Sequence, residues 1–308
     1  DMNPNTVGAT MVDKFYVVPP VKSGNFLNTI LKISKREKVQ VIIPFISKGL
    51  LKFSRSRDLF KKNGIKFLVA DYRAIKLAEN KYHLMTYCRS IGVPVPKFFL
   101  VKNLNAFKKA VSKLGYPKRM ACFKPPISSG QRGFRIITNK SNRLQLLIND
   151  RPTNTIISFE EAISIFKEGK SFPELLVMEY LPGDEYSVDA LCEQGQMIIA
   201  IPRLREQLVM GFSFVGRVID EKKIIDYSKR IAEGLRLTGN IGFQFKKDVR
   251  GIPKILELNP RVQGAIVLAA AAGANLVYMA IKLALGERIR KPSVRWGTKM
   301  IRYWGEIF

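Results

Sequence analysis

The run ILELNPR, Ile255 to Arg261, sets an anion, an amide and a cation at alternate positions of an otherwise apolar stretch: Glu257, Asn259 and Arg261. Alternation with a period of two belongs to a β-strand, in which same-face side chains lie roughly 6 to 7 Å apart. On that reading Ile255, Glu257 and Asn259 share one face and Leu256 and Leu258 the other. Pro260 ends the strand, with Arg261 at its exit. A buried carboxylate is costly unless it is paired or bound to a metal. The residues alone leave two readings: a structural Glu257–Arg261 ion pair, or a carboxylate placed to hold a cation.

Two further stretches suit a nucleotide. FKPPISSGQRGF places Lys124 at a strand end, before a small-residue loop with Ser128, Ser129, Gly130 and Gly133. Backbone N–H groups of such a loop approach phosphates closely, and the lysine adds a point charge. VMEYLPGDEYSVD reads as strand, turn, strand. It offers backbone groups and Glu179 to an adenine, and Glu185 to both hydroxyls of a ribose. Gly-Lys-Ser in EGKSF is no P-loop, because the earlier glycine position holds Ser164. SSGQRG lacks the full GxGxxG pattern and lies between strands.

Elements must position these residues. KFYVV (14–18), VQVIIPF (39–45) and IKFLVA (65–70) read as strands, alternating with helices at 25–37 and 48–62; this implies a parallel sheet covered on its faces. A helix at 74–91 ends at Gly92. Beyond it FFLV, MACFKPP and GFRIIT read as strands with a helix at 104–114. ELLVMEYL, EYSVDALCE, QMIIAIPRL, GNIGFQFKKD and PKILELN follow as strands, with helices at 221–236 and 264–284. The second region is α+β and mostly antiparallel.

Composition narrows the function classes. The 308 residues suffice for two domains, or one large domain with subdomains. Cys88, Cys122 and Cys192 are odd in number and show no CxxC spacing, which indicates free thiols in a reducing compartment. The single histidine, His83, speaks against a histidine metal site or a Ser-His-Asp triad. The apolar run 265–281 is shorter than the roughly 20 residues of a membrane span and carries Gly273 and Asn275, so it reads as a buried core helix. The net charge of +27 invites a polyanion. Its spread along the whole chain, without an RNP-like aromatic motif or helix-turn-helix spacing, favours a lysine-rich surface over nucleic-acid binding.

The order of the motifs is the most specific signal. Lysine with a Gly-rich loop, then MEYLPGDEYSVD, then GFQF, then ELNPR resembles the ATP-grasp superfamily over almost the whole chain, and is most similar to its carbamoyl-phosphate synthetase large-subunit-like branch. The resemblance implies an α/β plus α+β fold. A partial parallel-sheet pre-ATP-grasp domain (1–75) is followed by a two-subdomain ATP-grasp fold: a small subdomain with its linker helix (76–175) and a large one carrying the metal site (176–308). It further implies that Lys81 and Lys124 contact phosphates beneath the 128–133 loop, including Ser129 and Gly130. Glu179 and the Leu181 backbone hold adenine, and Glu185 holds ribose. Gln244, Glu257 and Asn259 ligate two magnesium ions, with manganese as an alternative. Arg261, with Asn259, faces the transferring phosphoryl group, and Arg203 and Arg205 are cationic contacts to phosphate or substrate.

The chain departs from the family in several places. DMNP resembles the end of the second strand of the first domain, so the opening strand and helix are expected to be missing. A single ATP-grasp unit, without a glutaminase or a second synthetase half, cannot make carbamoyl phosphate in the usual way. The Gly130–Gly133 loop has fewer glycines than many relatives, and Arg132 becomes a candidate phosphate contact. Gln244 stands where Asp is frequent in the superfamily, although the synthetase branch uses Gln there. The resulting expectation is a cytoplasmic carboxylate–amine ligase, or a related C–N-forming ligase, that makes an acyl phosphate from ATP. Its partners are small-molecule carboxylate and amine substrates, with neither membrane nor nucleic acid, and a homodimer is a possible assembly. The alternatives are an ATP-binding regulator without turnover, or a polyanion-binding module.

Overall fold

The computed structural model describes residues 1–128, 130–139, 148 and 155–307. In the first region α1 (Phe26–Arg36) leads to β1 (Val41–Ile42); α2 (Leu50–Arg55) and α3 (Arg57–Lys61) lead to β2 (Lys66–Phe67). The two strands pair in parallel, Val41 opposite Lys66. The expected strand at 14–18 does not form. Val18 N–H donates to the Asp1 carbonyl at 2.9 Å and the Asp1 ammonium to Tyr16 O at 3.1 Å, but the pairing extends no further.

The long helix expected at 74–91 is two helices, α4 (Tyr72–Glu79) and α5 (Lys81–Ser90). The cause is Asn80. Its backbone is extended, and its side chain accepts from the N–H groups of Tyr82 and His83, capping α5. Lys81 is thereby fixed in the first turn of α5. Its N–H donates to Pro126 O at 2.9 Å, which ties this helix end to the loop after Lys124.

A five-stranded sheet follows. Its members are β3 (Phe98–Val101), β4 (Ala121–Lys124), β5 (Arg135–Ile137), β6 (Ile156–Ile157) and β7 (Leu175–Glu179), in the order β3-β7-β4-β5-β6. Helices α6 (Leu104–Lys113) and α7 (Phe159–Glu168) cover it through an aromatic cluster. Phe107 lies edge-on to Phe123 and Phe166, with centroids 5.5 and 5.1 Å away. Strand β7 pairs with β3 and β4 and so belongs to this sheet. The boundary expected at 175/176 would cut β7 off, so we place the division in the turn after Glu179.

The second sheet has six strands: β8 (Glu185–Glu193), β9 (Gln196–Val209), β10 (Phe212–Val218), β11 (Gly239–Lys247), β12 (Pro253–Asn259) and β13 (Lys299–Ile301). Their order is β12-β11-β8-β9-β10-β13. One face packs with α8 (Lys222–Gly234) and with the first region. Phe53 and Phe67 share a single core with Phe243, Phe245, Ile255 and Leu258. The far end of the other face lies under α9 (Val267–Ala271) and α10 (Leu276–Leu285), through Leu191, Ile201, Leu268 and Met279. The single helix expected at 264–284 is broken at Gly273, whose φ is +102° and where a Cβ would meet Ser293 O at 2.8 Å. Among the described residues no helix is long and apolar enough to cross a membrane.

Candidate active site

Strand β12 does not alternate as its sequence suggests. Gln244 of β11 stands opposite Glu257, but the next residue, Phe245, stands opposite Ile255, so Leu256 is an extra residue in a β-bulge. The bulge resets the pleat. Ile255 joins Leu258, Phe243 and Phe245 in the core, while Glu257 and Asn259 share the opposite face with Gln244 and Gly242. Placing Ile255 on the face of Glu257 is therefore wrong, and the bulge is the reason. The strand ends at Asn259, before Pro260.

Three oxygen-donor side chains meet on this face. Gln244 and Glu257 are direct cross-strand partners, and Asn259, 9% exposed, lies one same-face position further on. The Glu257–Arg261 ion pair does not form; the cation near Glu257 is Lys81, its Nζ 4.0 Å from Oε1. Lys81 is buried and also donates to Ser128 O at 2.6 Å. Lys124 reaches the same space from the end of β4. Burial, and then the like charge of Lys81, push its ammonium down to about 8. Two lysines from one side and one carboxylate from the other give a cleft with excess positive charge. Such an arrangement suits a polyphosphate. Gly130, with φ +61°, lies at the mouth of the loop between Lys124 and β5. Ser129 falls outside the described residues.

Among the described residues no cluster of three His, Cys, Asp or Glu could hold a metal ion. Gln244, Glu257 and Asn259 instead offer one carboxylate and two amides. That donor set fits magnesium, which takes oxygen ligands, keeps several waters and commonly completes its shell with substrate phosphates.

Arg261 leaves the strand exit toward the first region. Its Nε donates to Ser47 Oγ at 2.9 Å and its Nη1 to Val262 O at 2.7 Å. Burial lowers its pKa, and Glu257 offsets part of that. Arg203 is placed differently from expectation. It shares the cross-sheet row of Ser187 and Gln244, yet it is only 1% exposed. Its Nε and Nη2 bond both oxygens of the equally buried Asp189, at 2.6 and 3.1 Å. Gln263 closes the cluster, its Oε1 3.4 Å from Arg203 Nη2, seated where a Cβ on Gly242 would come within 1.9 Å of it. Arg203 is thus a structural cation in this conformation, not an open phosphate contact.

The strand–turn–strand segment puts Glu179 at the end of β7, in the five-stranded sheet, and Glu185 at the start of β8, opposite Lys246 and one same-face position from the row of Ser187 and Gln244. Glu179 accepts from Lys97 N–H at 2.9 Å and pairs with the buried Lys254, which also reaches Asp248 at 3.3 Å. Leu181 is buried at the turn. Glu185 is held between Arg205 and Lys246, the latter 3.6 Å away. Lys246, Lys254, Asp189, Gln263 and Ser47 escaped the sequence reading. Each acts through a partner on another strand or region, and only the alternation around GFQFKK pointed toward Lys246.

Known proteins give the same picture. Residues 1–68 match the PylC-like N-terminal domain family, and residues 171–303 match a family described as ATP-grasp in the biosynthetic pathway with Ter operon. The carbamoyl phosphate synthase large chain of Clostridium acetobutylicum is 23% identical over 306 residues, and that of Thermoanaerobacter sp. (strain X514) 26% over 310. These alignments take in 94% and 96% of the chain but only 26% of each relative, so the chain spans about a quarter of their length. The biotin carboxylase domain of Hydrogenobacter thermophilus 2-oxoglutarate carboxylase, a dimer with MgADP, ADP and bicarbonate, superposes with a TM-score of 0.69 at 20% identity, over 96% of this chain and 65% of that one. The ADP complex of N5-carboxyaminoimidazole synthetase from Staphylococcus aureus gives 0.67 at 16%, over 93% and 70%. With parallel strands first, two antiparallel-sheet subdomains after them, and family matches at both ends, the chain belongs to the ATP-grasp superfamily, with a PylC-like N-terminal domain and distant homology to the carbamoyl phosphate synthase large chain.

Proposed function

We propose that the chain binds Mg-ATP between its two larger sheets and uses it to activate a carboxylate as an acyl phosphate for attack by an amine or similar nucleophile. The observation that carries this reading is the 4.0 Å approach of Lys81 to Glu257. It sets a phosphate-seeking cation of one side against the metal-seeking carboxylate of the other. In this proposal the backbone around Leu181, with Glu179, holds adenine and Glu185 receives the ribose hydroxyls. Lys81, Lys124 and the loop with Ser129 and Gly130 hold the phosphates.

Gln244, Glu257 and Asn259 would hold magnesium as two ions, and manganese would suit the same donors. When bound, magnesium would supply charge neutralisation and orientation for the γ-phosphoryl group. A carboxylate oxygen of the substrate attacks the γ-phosphorus, the bond to the β,γ-bridging oxygen breaks, and its electron pair leaves with ADP. Arg261, beside Asn259, stabilises the charge that develops on the phosphoryl oxygens. The amine then attacks the acyl carbon, inorganic phosphate departs, and the ammonium proton passes to solvent.

The dimer of the related biotin carboxylase domain supports a homodimer as the proposed assembly. Three buried free thiols fit a cytoplasmic, reducing location. The test is ADP release screened across amino acids and small carboxylates, with and without magnesium. ADP release that requires both magnesium and one carboxylate supports the ligase. Tight ATP binding with no ADP release under any substrate points to the regulator instead.

A further inference from the structure

Arg205 carries more partners than a brace for Glu185 needs. Its Nη1 bonds Glu185 Oε1, its Nε donates to Ser213 Oγ at 3.1 Å, and its Nη2 donates to the carbonyl of Gly211. One planar guanidinium therefore joins a carboxylate to the tip of the β9–β10 hairpin, a task the single ammonium of lysine cannot perform in that geometry. The tip in turn touches the loop expected over the phosphates. Gly211 has φ +81°, and a Cβ there would lie 3.1 Å from the Gln131 side chain. Gln131 itself sits at φ +60°, between Gly130 and Gly133. A continuous series of contacts thus runs Glu185–Arg205–Gly211–Gln131.

We propose that Arg205 is a positioning residue that couples ribose engagement at Glu185 to the seating of the Gln131 loop on the phosphates. This rests on the reading of Glu185 as the ribose carboxylate. A carboxylate has about four acceptor directions, so the two cations on Glu185 leave room for two hydroxyls. Hydroxyls bound there fix the carboxylate, which fixes the guanidinium, which fixes the Gly211 carbonyl and the tip under Gln131. Burial of Arg205 strengthens each of these bonds by excluding water. A simple brace would hold the hairpin equally with or without a ribose hydroxyl, and this difference can be measured.

The experiment compares the full chain as wild type, R205K and G211A, each with Mg-ATP and with Mg-2′,3′-dideoxy-ATP. The readouts are Kd and hydrogen exchange of the amides of residues 130–134 at saturation. Wild type is expected to bind ATP on the order of tenfold more tightly than the dideoxy analogue, through hydrogen bonds to a charged acceptor. Its loop should be more protected with ATP. R205K should retain part of the affinity preference, while its loop becomes equally protected with either nucleotide. G211A should keep the affinity preference and lose the difference in loop protection, because the added methyl meets Gln131 and strains the left-handed hairpin tip that carries it. If R205K fails to fold, G211A alone decides. An ATP-over-dideoxy difference in loop protection that persists in either variant overturns the coupling and leaves a brace. Equal affinity of the wild type for the two nucleotides overturns the ribose assignment and the coupling with it.

Discussion

Lys124 should make the nucleotide-free protein less stable than it would be without the charge. Its ammonium stands near Lys81, and burial with that like charge lowers its pKa from 10.5 to about 8. At about 1.4 kcal/mol per tenfold change in proton affinity, keeping the group charged at pH 7 costs about 3 kcal/mol. Solvent reaching the partly exposed side chain reduces this to about 2 kcal/mol. Lys124→Met removes the charge and keeps much of the stem. At pH 7 it should stabilise the nucleotide-free protein by about 2 kcal/mol, a rise of roughly 4 °C in Tm, while Mg-ATP affinity falls. The sign of the pH dependence follows from the depressed pKa. Between about 8 and 10.5 the unfolded chain binds more proton than the folded one, so wild-type stability gains relative to the variant as pH rises. The advantage of Lys124→Met should be complete below pH 8 and shrink toward zero near 10.5. Urea melts of both proteins from pH 7 to 9.5, beside titration calorimetry with Mg-ATP, measure this. Equal or lower stability of the variant at pH 7, with an unchanged gap across the pH series, would refute the reasoning.

Glu257→Gln should stop ADP formation, by at least about a hundredfold, with a Tm within a few degrees of wild type, since it removes the metal-binding charge and keeps the shape; activity that tracks only the folded fraction would remove Glu257 from the metal site. Arg203→Met should cost about 3 to 5 kcal/mol, because it strands Asp189 in the core, yet leave the Mg-ATP affinity of the folded fraction near wild type. Replacing Asp189 by Leu in the same chain should restore most of that loss, as a denaturant series on both variants would reveal. Arg261→Ala should lower turnover far more than ATP affinity, because its interaction grows as the phosphoryl group departs; single-turnover kinetics beside equilibrium binding separate the two.

The legible parts of the chain were those whose causes are local. Alternating apolar residues in EYSVDALCE and GNIGFQFKKD predicted β8 and β11, and Pro260 predicted the end of β12. What escaped depends on partners. The bulge at Leu256 exists only in register with Gln244 and Phe245, so a strict period of two placed Ile255 on the wrong face. Arg203 and Arg205 look alike in IPRLR; they differ because one meets Asp189 under Gln263 and the other meets Glu185 and an open hairpin. The breaks at Asn80 and Gly273 had local signals, a helix-capping amide and a glycine, but continuous apolar periodicity on either side hid them. Short strands such as β6 and β13, two and three residues long, carry too little pattern to stand out from loops.

The core shared by Phe53, Phe67, Phe245, Ile255 and Leu258 bears on how this chain can be inherited. The back of the strand that presents Glu257 is the floor on which the first region rests, and Ser47 of that region touches Arg261. A recombination event that exchanged residues 1–75 for another sequence would have to supply matching aromatic shapes for that floor. It would also need a hydroxyl for the arginine at the strand exit. Substitutions in the first region should therefore co-vary with residues 243 to 261, and a lesion as remote as Phe67→Ala should surface as a shift of the strand presenting Glu257 against Lys81 before it appears as a loss of fold.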